Sequence, residues 1–190
     1  GTSTGDFGSS ADHAINEKFQ FQLIAKLPAG RDEGRAYDYY DKYTVCFNDT
    51  LSEGITYDGL DSVVIESNGK TYVIPNDSSK YTIGLESQNY LVVKIPDVKA
   101  CAKDAGFDLN DGATITVTYT AHLNDKAYVN IAGGSTSNIN KVYLTYSNNP
   151  KDESSIGKTP ESTPVYVYTY QLNNTKYHDD DNPNNVLAGA

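Results

Sequence analysis

Apolar and polar residues alternate with period two through much of the chain, most plainly over residues 18–27, where Phe19, Phe21, Leu23, Ala25 and Leu27 fall on one face. That period marks a half-buried β-strand, because successive side chains of a strand point to opposite faces of the sheet. Pro28, which has no amide hydrogen for a ladder, ends the run. A charged loop over residues 29–41 precedes a second strand, residues 43–51, with Val45, Phe47, Asp49 and Leu51 on a common face. Shorter strands are predicted at residues 62–66, 71–74, 81–85 and 90–95, separated by Asn-Gly and Asn-Asp-Ser turns. Residues 97–107 form the one expected helix, with Val98, Cys101, Ala102 and Ala105 at helical spacing and Gly106 near its end. Three stronger strands follow at residues 113–121, 141–147 and 163–172. Roughly nine short strands and one small helix predict an all-β chain, an immunoglobulin-like Greek-key β-sandwich.

A chain of 190 residues can bury one hydrophobic core. Its 16 Tyr and 5 Phe reinforce the β reading, since aromatic residues suit a pleated, half-buried surface. The formal charge of −10 repels polyanions, so neither nucleic acid nor an anionic membrane is an expected partner. No apolar run approaches the roughly 20 residues of a membrane helix, and the first residues do not read as a signal peptide. Cys46 and Cys101 are too few for a zinc site; they either form one disulfide in an oxidising exterior or remain separate thiols.

Motifs for turnover chemistry are missing: the chain has no phosphate-binding Gly-rich loop with Lys-Ser/Thr, no His-Glu-x-x-His and no Gly-x-Ser-x-Gly. His13, His122 and His178 lie far apart in polar contexts and read as surface residues. The oxygen-rich run from His178 to Asn185 lacks calcium-loop spacing, so neither a metal nor another cofactor is expected. Two polar residues break the strand pattern. Asp49 shares parity with Val45, Phe47 and Leu51, and Asn140 shares parity with Val142, Leu144 and Tyr146, so both are predicted to point into the core. A buried carboxyl is costly when charged, and its pKa rises until it holds a proton. The plainer alternative is that Asp49 caps a loop at its strand end and Asn140 merely begins its strand.

Four segments carry a family resemblance. They are Ile15-Asn-Glu-Lys-Phe-Gln-Phe-Gln-Leu-Ile-Ala-Lys-Leu-Pro28, Tyr43-Thr-Val-Cys-Phe-Asn-Asp-Thr-Leu-Ser-Glu-Gly-Ile-Thr-Tyr57, Ile115-Thr-Val-Thr-Tyr-Thr-Ala-His-Leu-Asn124, and Asn140-Lys-Val-Tyr-Leu-Thr-Tyr-Ser-Asn-Asn-Pro150 with Val165-Tyr-Val-Tyr-Thr-Tyr170. In this order they resemble the isopeptide-forming sandwich domain of Gram-positive backbone pilins and surface adhesins, related to the collagen-adhesin A region. The resemblance implies a structural, cell-wall-anchored extracellular module of a pilus or adhesin stalk, assembled by sortase with neighbouring pilin subunits. It is not an enzyme beyond a single self-crosslinking event. In that event a Lys amine attacks an Asn side chain while a protonated Asp shuttles protons and ammonia leaves. By motif, Asp49 matches the Asp and Asn140 the acceptor. The family's Lys lies about a dozen residues before the position of Asn16, and residues 1–17 contain no Lys. The resemblance therefore implies a bond-forming Lys upstream of Gly1, or one whose place Gly1 has taken. Within the chain Lys18 is the nearest candidate, although its parity opposes the Phe face. The alternative function is an adhesive module binding a host glycan or protein through Tyr-rich faces or the 29–41 loop.

The sandwich module is assigned to residues 1–172. Residues 173–190 read as a linker and the truncated first strand of a following Cna-B-like module, where Lys176 and Val186-Leu-Ala-Gly-Ala190 match that module's bond-forming Lys and its signature.

Overall fold

The computed structural model describes residues 2–3, 10–130, 138–161 and 165–170. The strands are β1 (Thr2–Ser3), β2 (Ser10–Asp12), β3 (Lys18–Leu27), β4 (Val45–Leu51), β5 (Ile55–Ser67), β6 (Lys70–Val73), β7 (Thr82–Ser87) and β8 (Tyr90–Ile95). After the helix α1 (Val98–Asp104) come β9 (Ala113–Leu123), β10 (Val129–Asn130), β11 (Asn138–Ser147), β12 (Ile156–Lys158) and β13 (Val165–Tyr170). One sheet runs β1-β3-β9-β5-β6. The other runs β10-β13-β11-β4-β8-β7, with β12 beside β11 and β2 beside β13. Among the described strands pairing is antiparallel except where β13 meets β2 and β10, and an isolated parallel bridge joins Ile15 to Leu123. Strands distant in sequence lie side by side, as in β3 with β9 and β4 with β11, so the expected all-β, immunoglobulin-like sandwich is the fold observed.

The core forms where the inward faces meet. Phe21, Val63, Ile65, Ile115 and Val117 from the first sheet and Phe47, Leu91, Val93 and Ile95 from the second are fully buried. Alternation is strict along β9, whose inward residues Ala113, Ile115, Val117, Tyr119, Ala121 and Leu123 are all buried. The β3–β9 register is unbroken from Lys18 opposite His122 to Leu27 opposite Ala113. Strand β5 extends well beyond the expected 62–66 because register shifts at Tyr57/Gly59 and Leu60/Ser62 interrupt its alternation, and a bulge hides period two from a sequence reading.

Helix α1 begins one residue later than expected, with Asp97 as its cap: the Asp97 side chain accepts from Lys99 N. The 29–41 segment is tied down. It holds two short 3-10 turns, Arg31–Glu33 and Ala36–Tyr39, and Tyr37 is buried with its hydroxyl donating to Pro28 O at 2.7 Å. Arg31 pairs with Asp108 and Asp111, and Arg35 with Asp38 and Asp108. Among the described residues no helix is long and apolar enough to cross a membrane.

The optional Cys46–Cys101 disulfide is not formed. Cys46 lies half-buried on β4 at the parity opposite to Val45 and Phe47, Cys101 is buried in α1, and both are free thiols. Burial raises the pKa of each, so neither is a ready thiolate. Thiol titration of the denatured chain without reductant should therefore count two; a count of zero would restore the bridge.

Gly54, at the entry to β5, sits where a side chain has no room: a Cβ there would lie 2.4 Å from Ala127 Cα and 2.5 Å from Asn138 Oδ1. Gly54→Ala should lower stability by about 1–3 kcal/mol, read as a lower urea midpoint with unchanged m, because backbone and a buried amide must both move.

Candidate functional site

Asp49 occupies an inward position of β4 between Phe47 and Leu51, paired with Leu91 of β8 on one side and Val142 of β11 on the other. Its side chain is fully buried. On β11, Asn140 stands opposite Leu51, so it is the diagonal neighbour of Asp49 on the same face, and it is 3% exposed. From the facing sheet, β9 delivers Tyr119, also fully buried, with its ring 5.5 Å from those of Phe21 and Tyr57. The Tyr119 hydroxyl donates to Asp49 Oδ2 at 2.5 Å and accepts from Asn140 Nδ2 at 2.7 Å. One phenol thus joins a carboxyl and an amide across the sandwich.

The electrostatics follow from burial. Desolvation pushes the Asp49 pKa from 3.8 up to about 7, against hydrogen bonding from Tyr119 and Asn140 that favours the anion. Burial raises the Tyr119 pKa well above its usual value, and the adjacent Asp49 raises it further, so the phenol keeps its proton at neutral pH. Asp49 Oδ1 is buried with no hydrogen-bond partner among the described residues. The site therefore offers an acid of near-neutral pKa, a proton-bearing phenol and a primary amide, all shielded from water.

The structure does not bring Lys18 to this group. Lys18 is exposed at the start of β3, opposite in parity to buried Phe19 and paired with His122, because the strand runs there without the bulge that would turn it inward. Among the described residues no lysine hydrogen-bonds to Asp49, Tyr119 or Asn140. The other expected source of the amine, at or before Gly1, lies outside the described residues, which begin at Thr2. Lys176 and the 173–190 segment lie outside them too, as does His178.

Of the histidines read as surface residues, His122 is paired with Asp58 at 2.8 Å on the outer face of β9. His13 departs from that reading. It is fully buried and stacks on Phe19 with ring centroids 4.2 Å apart. A turn at Asn16, with φ 67° and its amide donating to Leu123 O, folds the preceding residues onto the β3 aromatic face.

Sequence reading missed Tyr119. The available signal was the parity of β9, which places a tyrosine on the face of Ile115 and Val117, and a buried phenol needs a hydrogen-bond partner. It also missed Asn138, whose Oδ1 accepts from Tyr128 N at 3.0 Å and whose Nδ2 donates to Tyr128 O at 3.3 Å, fixing the loop that enters β10.

No protein-family model matches the chain, and no curated protein matches it. Solved structures do. The 35 kDa C-terminal fragment of the major pilin GBS80 of Streptococcus agalactiae superposes with a TM-score of 0.61 at 20% identity, over 85% of this chain and 52% of that one. BcpA, the major pilin subunit of Bacillus cereus, gives 0.54 at 14% identity over 84% of this chain and 36% of its own. The full-length major pilin RrgB of Streptococcus pneumoniae gives 0.50 at 22% identity over 74% of this chain and 20% of its own. The chain thus has the fold of a major-pilin domain and spans about half or less of the length of these neighbours.

The buried Asp49 sets a pH dependence. Below about pH 4 both folded and unfolded chains hold the proton; between about 4 and 7 only the folded chain does, so stability falls as pH rises through that window and levels off above it. The expected loss is of the order of a few kcal/mol. Asp49→Asn should remove this slope in urea titrations at stepped pH and make the protein more stable than the parent at pH 8.

Proposed function

We propose that the chain is a structural module of a Gram-positive cell-surface pilus or adhesin stalk, of the kind stabilised by one autocatalytic Lys–Asn isopeptide bond, with Asn140 as the acceptor once a lysine is in place. The observation that carries this reading is the buried chain Asp49–Tyr119–Asn140 spanning the two sheets. A carboxyl with a pKa near neutrality, next to a primary amide and away from water, is an expensive arrangement to maintain for packing alone. It suits amide exchange. A neutral lysine amine attacks Asn140 Cγ, the protonated Asp49 polarises the amide and handles the protons, and ammonia leaves. The bond ties the two sheets covalently where otherwise packing and the hydrogen bonds of Tyr119 hold them, which is the requirement of a module under load.

The pilin-like fold supports the setting. In it the partners are neighbouring pilin subunits or modules joined by sortase, and the module is extracellular, within a cell-wall-anchored structure. Residues 173–190 would open a following Cna-B-like module with Lys176 as its own bond-forming residue.

Besides Gly1 or the residues before it, β1 offers a place for the amine one position further on. The β1 register sets Thr2 opposite Phe21 and Ser3 opposite Gln20, and directly paired residues share a face, so position 2 lies on the face of the residue that packs against Tyr119. With Thr2 in place the chain should keep its Asn140 amide. Thr2→Lys should lose one ammonia by intact mass, with peptide mapping joining position 2 to Asn140, whereas Ser3→Lys should lose none. Adding Asp49→Ala to Thr2→Lys should block the loss in a folded protein. If Thr2→Lys is folded and keeps its ammonia, the isopeptide reading at this site is wrong; if the unmodified chain has already joined Lys18 to Asn140, the placement of the amine on β1 is wrong.

A further inference from the structure

We propose that Tyr119 is a catalytic residue of this bond formation, its phenol passing to Asn140 the proton that expels ammonia and drawing a replacement from Asp49. The inference rests on the isopeptide reading above and assigns a role that Asp49 and Asn140 leave open. Asn140 is paired with Leu51, so it is offset from Asp49 along the strand direction, and diagonal neighbours on adjacent strands lie about 7–8 Å apart. Although the Asn140 amide is near enough to favour the Asp49 anion, the hydrogen bond of Nδ2, the atom that must leave, goes to the Tyr119 oxygen at 2.7 Å, and that oxygen lies 2.5 Å from Asp49 Oδ2. A phenol can give and accept a proton at the same oxygen, which is what a relay between two fixed groups requires.

Each proton in the step is accounted for. The neutral amine adds to Asn140 Cγ, giving an adduct with an oxyanion and a positively charged amine nitrogen. In the adduct Nδ2 has become an amine with a free lone pair, so the two hydrogen bonds at the phenol reverse from the resting arrangement, in which Nδ2 donates to Tyr119 and Tyr119 to Asp49 Oδ2. Tyr119 gives its proton to Nδ2 and takes one from Asp49 Oδ2, which leaves a carboxylate. That carboxylate then takes one proton from the positively charged amine nitrogen at Oδ1, the oxygen with no hydrogen-bond partner among the described residues. The Cγ–Nδ2 bond breaks with its electron pair on nitrogen, the oxyanion returns to a carbonyl, and the products are a secondary amide and ammonia. Asp49 begins and ends protonated, Tyr119 begins and ends as a neutral phenol, and nothing is oxidised or reduced.

The groups facing the phenol are Asp49 from β4, Asn140 from β11, Phe21 from β3 and Tyr57 from β5, so Asp49 is the acid within hydrogen-bond reach. Position and rotamer are set by packing: the ring lies between Phe21 and Tyr57 in a fully buried site.

The test uses the full chain with Thr2→Lys, the new lysine carrying a photolabile carbamate so that light starts the reaction in folded protein. Closure is followed by intact mass at a series of pH values. Tyr119→Phe should slow closure by about 10²-fold or more, the scale of a lost general acid–base group. In a second variant, 3-fluorotyrosine in place of Tyr119 keeps shape and hydrogen bonds but makes the phenol more acidic, and should shift the pH profile of closure to lower pH. A residue that only filled space would not do this. Closure of Tyr119→Phe at the parent rate, or an unshifted profile with fluorotyrosine, overturns the relay while leaving the isopeptide reading intact. If Tyr119→Phe does not fold, the fluorotyrosine profile decides alone. Failure of the parent Thr2→Lys chain to close removes the reading and the relay together.

Discussion

A single buried phenol holds the two sheets of this sandwich to each other by something other than apolar contact. Tyr119 reaches from β9 to Asp49 on β4 and Asn140 on β11, so its two hydrogen bonds cross the plane where the sheets meet. In a low-dielectric interior such bonds are strong and their loss is severe, because a buried carboxyl or amide left unpaired keeps the full penalty of desolvation. The same burial moves the Asp49 pKa to about 7 and so keeps the carboxyl near the boundary between its two forms. Structural cost and chemical capacity have one cause.

The surrounding frame makes that placement reproducible. Strict alternation on β9 and an unbroken register with β3 fix which face Tyr119 occupies, since a slip by one residue would turn it outward. Phe21 and Tyr57 then confine its ring. On the other sheet, continuous pairing of β4 with both β8 and β11 holds Asp49 and Asn140 at a constant diagonal offset. Asn138 and Gly54 secure the entry to β11 through a close backbone approach that tolerates no side chain. The site is built on strands and not on loops, which is the arrangement that holds reacting groups most accurately.

The likeness to major pilins of Streptococcus agalactiae and Bacillus cereus concerns the fold, and a fold alone does not specify chemistry. The chemistry comes from three side chains joined by hydrogen bonds between the sheets, Asp49, Tyr119 and Asn140. The charged pairs lie nearer the surface: Arg31 and Arg35 with their acidic partners pin the 29–41 segment against the loop before β9, and His122 pairs with Asp58 on an outer face.

The alternation of residues 18–27, 43–51, 113–121 and 141–147 marked the strands and put Asp49 and Asn140 at the parity of their apolar neighbours, because period two assigns each side chain to a face without reference to any other strand; that both lie inside their strands and are buried was decided by the structure. The helix was legible from apolar spacing and Gly106 near its end, although it closes at Asp104 and the capping role of Asp97 came from the structure. Tertiary structure alone decided what those inward residues meet. Parity places Tyr119 on the core face, but only the packing of one sheet on the other brings it to Asp49 and Asn140, 70 and 21 residues away in the chain. The full length of β5 was hidden by its bulges, and the burial of His13 by a turn at Asn16 that has no periodic signature. The state of Cys46 and Cys101 was also open in the sequence, since pairing depends on distance and direction between elements and not on the presence of two thiols. Local pattern fixes the face a residue takes; which groups share that space is set by register and sheet-to-sheet packing, which are properties of the whole chain.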